Sequence, residues 1–496
     1  MKKVKEHGEL RMKRPNVIFI LIDDMGWKDI SCMGSEFYET PNIDRIAREG
    51  LLFTDAYASC PVCSPTRASI MSGQYPARIG MTNFCGQGAT FADEGTQKGR
   101  LLSAPFIPFL PTSEKSLGRA MQENGYQTWH VGKWHMGEKK KYWPDQHGFD
   151  VNIGGCHMGA PWSGYFAPFE IPTLEPKEND DYLTDRLGDE AVKLIKEKGD
   201  KPFFLNMCFY QVHTPLMAKS EKVEKYKQKI KSMGLDRADA FYIKGDVMPM
   251  QDYEGRKIVR RMVQSEPVYA AMIEHLDENI GRILDALDEK GIADNTLLIF
   301  TSDNGGVSTG VNTDIATSNA PLSEGKGWLY DGGIREPLLI RWPGVVEPGT
   351  TTDAIVSSPD FYPTILEACG LPSEPDQHVD GRSFYSVIKN SDMEYERDAI
   401  FWHYPHYHGR GGPPGCAIRR GNWKLIEFFE GSIELYNLKD DISETTNLIS
   451  EQPELAEELL AELRNWREEV NAIVPRTNPD WNPWWENGGA EFQDQE

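Results

Sequence analysis

The chain has 496 residues, 39% of them hydrophobic and 11% aromatic, with a net charge of −23. At roughly 150 residues per domain that length allows about three units, and the apolar content supports a large core, which excludes a disulfide-stapled mini-protein and a disordered chain. The acidic balance excludes non-specific nucleic-acid binding, since a polyanion would be repelled, but a small anion needs only one locally basic pocket.

The chain opens on MKKVKEHGELRMKRPNV, which is basic and has no apolar h-region before Pro15. It does not read as a secretory signal peptide, so a cytoplasmic location is expected. No run of about 18 apolar residues follows, so no membrane span is expected. Eight cysteines are scattered along the chain, and only Cys60 and Cys63 lie close together. That usage suits reduced thiols rather than a disulfide framework.

Residues Val17 to Ile22 form an apolar run rich in β-branched side chains, without polar alternation. Such a run predicts a strand buried on both faces of a parallel sheet. It ends in Asp23-Asp24-Met25-Gly26. The same grammar recurs three times. Tyr126 to Val131 leads into Gly132-Lys133-Trp134-His135, Phe203 to Met207 leads toward His213, and Thr296 to Ser302 leads into Asp303-Asn304. Between the last two, Ser265 to Lys290 has apolar residues at helical spacing and stops at Gly291. Alternating strands and helices predict an open, mostly parallel sheet that binds ligands outside the carboxyl ends of its strands. All four runs place charged or imidazole groups at that end.

The composition changes near residue 385. FWHYPHYHGRGGPPG reads as a loop, followed by short alternating runs at 417–420, 423–429 and 434–438 that predict a small antiparallel sheet. A helix from Pro453 to Val470 closes it. The expected organisation is a main domain over 14–385, a C-terminal α+β subdomain over 386–475, and a loosely ordered tail over 476–496.

Cys63-Ser64-Pro65-Thr66-Arg67 reads as a helix start, with Ser64 as cap, Pro65 in the first turn and a stop at Gly73. A cysteine there meets free N–H groups that stabilise thiolates and bind anions. Arg67, one turn on, can reach back to a tetrahedral oxyanion. Cys60-Pro61-Val62-Cys63 also admits a thioredoxin-like dithiol or a metal clip, although no short βαβ frame and no second ligand pair completes either. Asp23, Asp24, Asp303 and Asn304 are oxygen donors from two strand ends. They suit a hard cation, Ca²⁺ first and Mg²⁺ second. His7, His130 and His275 read as structural histidines.

Several of these stretches together resemble the formylglycine-dependent (type I) sulfatases. Cys63-Ser64-Pro65-Thr66-Arg67 followed by Ser72-Gly73 is similar to that family's C-x-P-x-R signature, whose usual T-G is here S-G. Asn16 to Gly26, Gly132 to Gly137, Tyr210 to Pro215, Thr301 to Gly305 and Gly325-Lys326 resemble five further family motifs in the same order. The resemblance implies an alkaline-phosphatase-like α/β fold: a large, mostly parallel sheet between helices, plus the smaller antiparallel subdomain. It implies that a maturation enzyme oxidises Cys63 to formylglycine, whose hydrated aldehyde attacks sulfur in a sulfate ester. It further implies Asp23, Asp24, Asp303, Asn304 and the modified Cys63 as metal ligands. Arg67, Lys133 and Lys326 would neutralise the sulfuryl oxygens. His135 would be the base, and His213 the acid toward the leaving oxygen, shared with Lys326.

For the substrate, His157, His403, His406, His408 and Arg410 are candidate sugar-binding residues, with Trp162 and Tyr165 as aromatic neighbours; a packed interdomain loop is the alternative. A sulfated carbohydrate is expected, with sulfate at the 4-position of galactose or N-acetylgalactosamine. The competing functions are a phosphoester or phosphonate monoester hydrolase of the same superfamily, a non-catalytic glycan-binding relative, and a dithiol redox protein.

Overall fold

The computed structural model describes residues 14–86, 99–236, 241–249, 256–311 and 315–481. The basic N-terminal stretch and His7 lie outside the described residues.

One large sheet organises the molecule. Its strands are β1 (Asn16–Ile22), β2 (Leu51–Tyr57), β3 (Gln127–Gly132), β4 (Val151–Ile153), β5 (Phe203–Cys208), β6 (Thr296–Ser302), β7 (Arg335–Arg341), β8 (Thr350–Thr352) and β9 (Val356–Ser357). Their order is β8-β2-β7-β6-β1-β5-β3-β4, with β9 also paired to β2. β1 sits at the centre, parallel to β5 and β6. Only β7 runs against its neighbours β6 and β2.

The unbroken apolar sequence of β1 follows from this position. Ile18, Ile20 and Ile22 enter one core and Val17, Phe19 and Leu21 the other, because successive side chains point to opposite faces. The first core is closed by α1 (Pro41–Arg48), α4 (Leu183–Glu197), α5 (Ser220–Met233) and α6 (Pro267–Glu289). The second is closed by α2 (Cys63–Ser72), α3 (Leu117–Glu123) and α7 (Phe361–Ala368). The result is the expected sheet between two helical layers. A small three-stranded sheet (Phe241–Val247, Lys257–Arg261, Thr309–Gly310) has no counterpart in the sequence reading.

The C-terminal sheet has four strands in simple order: β10 (Ile400–Tyr404), β11 (Gly415–Arg420), β12 (Trp423–Phe428) and β13 (Ile433–Asn437). The expected loop at 401–404 is therefore a strand. Its aromatic run hides a two-residue period: Trp402 and Tyr404 face the main domain, while Phe401 faces α8 (Pro453–Glu469). The expected loose tail is also tied down at its start. Arg476 and Thr477 pair with Leu102 and Leu101, and Asn478 bonds to Gly99 and Arg100. The rest of the tail, 482–496, lies outside the described residues.

All eight cysteines are free thiols. Among the described residues no helix is long and apolar enough to cross a membrane.

Candidate active site

The candidate residues come together at the carboxyl ends of the central strands. Asp23 and Asp24 follow β1, Lys133 and His135 follow β3, His213 follows β5, and Asp303 and Asn304 follow β6. Cys63 opens α2, which ends at Gly73 in the left-handed conformation, φ 72°. The helix begins two residues earlier than a Ser64 cap would place it, with Val62 at the N-cap; the Ser64 Oγ instead accepts from the Cys85 N–H. Gly132 turns the chain out of β3 at φ 103°, and a Cβ there would lie 1.8 Å from the Cys208 carbonyl oxygen. Only glycine therefore delivers Lys133 to this spot. The loop with Lys326 is pinned by its own backbone, Lys326 N–H to Gly306 and Gly327 N–H to Pro61, which lies two residues before Cys63.

Cys63, Asp23 and Asp303 each aim one donor atom into a common space, all within 4.8 Å of one another. Three cations pack around them. Lys133 Nζ donates to both oxygens of Asp23, at 2.9 and 2.8 Å, with both side chains fully buried. Arg67 donates through Nε to Asp303 Oδ2 at 2.8 Å and through Nη1 to the Lys133 carbonyl at 3.1 Å. Lys326 Nζ donates to Asp24 Oδ2 at 2.7 Å. Asn304 donates through Nδ2 to Asp24 Oδ1 at 2.9 Å, while its Oδ1 is buried with no partner. A buried, unpaired carbonyl oxygen is expensive unless something accepts its lone pair. Its place beside three carboxylates fits a hard cation, and the residues present therefore suit the metal the sequence implies.

Two backbone positions here are strained. Asp24 and His135 adopt left-handed φ of 62° and 58° without being glycine. Such conformations persist where surrounding structure enforces them, commonly at functional sites.

The electrostatics are those of a dry, crowded charge cluster. Burial pushes the Cys63 thiol above its ordinary value, against the pull of Lys133 and Lys326. Desolvation, with the repulsion of Asp303 and Asp23, thus outweighs the pull of the two lysines at this helix start. Burial also raises Asp23, with Asp303 and Asp24 adding repulsion against Lys133. Burial works against ionised Asp24 as well, but the Lys326 ammonium holds that carboxyl below the usual range.

The two histidines have fixed tautomers. His135 Nε2 bonds to the Cys85 carbonyl, which can only accept, so Nε2 carries the proton. The buried Nδ1 has no partner and is left as the basic atom. His213 donates from Nδ1 to the Thr214 carbonyl at 2.7 Å, and its Nε2 lies 3.6 Å from Asp24 Oδ2. Burial, then the Lys326 charge, pushes His213 down to about 3.

Asp24, Cys63, His135, His213 and Lys326 line one cleft of about 980 Å³, and His157, His408 and Arg410 line it too. His403 and His406 do not. His403 is buried on β10, bonded to the Ile473 carbonyl and packed on Phe429. His406 is fully buried, bonded to Thr82 and packed between Phe106 and Tyr404. Their expected sugar contact is corrected: His403 is turned into packing on β10, and His406, two residues past the strand, is enclosed by Thr82, Phe106 and Tyr404. Tyr165 is likewise buried, its hydroxyl between the Tyr210 and His213 carbonyls. His130 and His275 are buried as expected. Phe84, Lys139 and Glu170 also line the cleft. They lie in loops where no spacing or motif singles them out.

The family model described as Sulfatase matches residues 15–371. The chain belongs to the sulfatase family. A second model, described as N-sulphoglucosamine sulphohydrolase, C-terminal, matches residues 325–471. This sulfatase is 32% identical to a protein named Sulfatase from Formosa agariphila, over 93% of this chain and 90% of that one. It is 31% identical to N-acetylgalactosamine-6-sulfatase of Homo sapiens, over 75% of this chain and 66% of the human one. Among solved structures it is similar to Ps i-CgsB in complex with k-i-k-neocarrahexaose, with a TM-score of 0.72, 29% identity and 95% of each chain covered. The sulfatase is thus a sulfuric ester hydrolase with the alkaline-phosphatase-like fold. Sulfatases work through a formylglycine and a divalent metal, and the Asp23–Cys63–Asp303 cluster is the candidate metal site here.

Proposed function

We propose that this sulfatase releases inorganic sulfate from a sulfated galactose or N-acetylgalactosamine unit of a glycan fragment, after a maturation enzyme has converted Cys63 to formylglycine. The observation that carries the reading is the convergence of Cys63, Asp23 and Asp303 within 4.8 Å, ringed by Arg67, Lys133 and Lys326. Three cations balance three carboxylates, so an added divalent ion makes the pocket net positive and suited to a sulfate monoanion. Support for a carbohydrate comes from the similar proteins. The human relative's name specifies a 6-sulfated N-acetylgalactosamine, and the similar solved structure holds a neocarrahexaose.

Asp23, Asp24, Asp303 and the Oδ1 of Asn304 would hold the ion, calcium by their all-oxygen character. When bound there it offsets the carboxylates and polarises the sulfate. The formylglycine supplies a hydrated-aldehyde hydroxyl as nucleophile. Arg67, Lys133 and Lys326 orient and neutralise the sulfuryl oxygens. His135 uses its unpartnered Nδ1 to take a proton. Lys326, an ammonium beside Asp24, delivers the proton to the departing alcohol, and His213, whose Nε2 faces the same carboxylate, shares that role only in the state where Nε2 is protonated.

Mass spectrometry of the peptide around Cys63, paired with sulfate release from 4- and 6-sulfated galactose and N-acetylgalactosamine, tests this. Active protein should carry the aldehyde at position 63. Cys63→Ala should lower turnover by at least about 10³-fold, the scale for losing a nucleophile, while keeping the thermal midpoint. Full activity with an unmodified thiol, or a larger kcat/KM for an aryl phosphate than for the aryl sulfate, would overturn the assignment.

A further inference from the structure

A cleft of about 980 Å³ is at the top of the roughly 300–1,000 Å³ that encloses a drug-sized ligand. One sulfated ring does not fill it. Trp162 lines this cleft and is 68% exposed, and its ring stands edge-on to His213 with centroids 6.3 Å apart. An indole left open to water beside a catalytic group offers an apolar face for a ligand. A pyranose has C–H groups across its ring faces and hydroxyls around its rim, so it can stack on the indole while the rim meets polar groups. Those groups are present. Ser163, the next residue, donates a hydrogen bond to Glu170, and both are exposed and line the cleft. A carboxylate accepts from sugar hydroxyls but repels a second sulfate or a uronate. The flank near Lys326 has the opposite sign. His408 packs on Gly327, where a Cβ would lie 2.1 Å from its Nδ1, and Arg410 lines the cleft beyond it.

We infer that Trp162 is the platform for an uncharged sugar next to the sulfated one, with Glu170 accepting from its hydroxyls. The substrate is then an oligosaccharide. Its residue on the Trp162 side carries neither sulfate nor carboxylate. This rests on the carbohydrate reading above and narrows it to glycans with neutral sugars beside the sulfated unit.

The test compares kcat/KM of matured enzyme on an aryl sulfate, a sulfated galactose, a sulfated tetrasaccharide of neutral galactose units, and a sulfated tetrasaccharide with uronates flanking the sulfated residue. The wild type should favour the neutral tetrasaccharide over the monosaccharide. Trp162→Ala should shrink that preference by roughly three- to tenfold, the scale of one aromatic contact. Glu170→Gln should raise the uronate-containing substrate relative to the neutral one. Thermal midpoints check folding, and exposed Met393→Ala serves as a control away from the cleft. An unchanged tetrasaccharide preference in Trp162→Ala overturns the inference. So does equal treatment of monosaccharide and tetrasaccharide by the wild type, an outcome that leaves the sulfatase reading standing. Hydrolysis of the aryl sulfate with no sugar substrate turned over would sink the carbohydrate reading and this inference with it.

Discussion

Asn304 illustrates how one side chain can report on a ligand. Its amide nitrogen is used on Asp24, yet its oxygen is buried without a partner. In a folded protein such an acceptor normally finds a donor or a cation. Asn304→Ala should therefore weaken calcium binding by at least about tenfold, within the range seen when a supporting group of a metal site is lost. The reading is the calcium-dependent rise in thermal midpoint, which follows the ratio of free ion to Kd. An unshifted calcium titration in the variant would remove Asn304 from the ligand set. Asp303 does more than one task here: it meets Arg67 and also accepts from the Asp24 backbone N–H at 3.2 Å. Charge and backbone geometry at this position are thus coupled.

At the scale of elements, the short turn Pro144–His147 carries a buried histidine with no hydrogen-bond partner on either ring nitrogen. Its ring packs on Trp134, one residue from Lys133. Burial, and secondarily Arg119, pushes His147 down to about 4. The unfolded chain binds this proton near the ordinary histidine value of ~6.5, so the unfolded state holds more protons between those two values. Stability from the neutral ring is complete above pH ~6.5 and is lost as pH falls toward the folded value. The loss amounts to about 3 kcal/mol for the full shift. His147→Phe should keep the tilted ring contact with Trp134 and flatten the fall of the thermal midpoint on acidification. A variant as acid-sensitive as the wild type would show that other groups control this slope. The β10 strand carries a related lesson. Its aromatic residues hold the subdomain against the main domain through Trp402 and Tyr404, and Trp402 also donates to the Ala58 carbonyl at 2.7 Å.

Over the whole molecule, the subdomain does more than cover a surface. Its sheet packs on Tyr57, Cys60 and Val62, in the segment leading to Cys63. Fully buried Lys424 of β12 reaches Asp331 and Glu444, each at 2.7 Å. Arg335 and Arg419 share Asp55 from the two sides of the interface. Asp331 lies five residues after Lys326, and His408 and Arg410 come from the chain between β10 and β11. The subdomain therefore completes the cleft as well as stabilising the fold. Lys424→Ala removes the ammonium shared by two buried carboxylates, and removing one partner of a buried pair costs about 3–5 kcal/mol. A large drop in thermal midpoint is expected, and residual native enzyme should show a raised KM. A midpoint within experimental error of the wild type would mean the network is not a structural clamp.

Much of this was legible in the chain. The four apolar runs ending in Asp, Lys, His or Asn became β1, β3, β5 and β6, because short, β-branched or aromatic apolar runs bounded by turn residues suit strands buried on both faces. The motif cysteine, its arginine and the acidic pairs converge because parallel strands deliver their carboxyl ends to one edge of a sheet. Local pattern could not separate His408, which lines the cleft, from His403 and His406, which pack inside. They share a short aromatic stretch, and only the tertiary packing of β10 and of the segment that follows it decides which rings face the cleft. The protonation of Cys63 was likewise out of reach, since it depends on how completely distant segments exclude solvent. Residue type and order along the chain determined the chemistry on offer; depth, tautomer and the wall of the cleft were decided by packing between segments hundreds of residues apart, which no local spacing encodes.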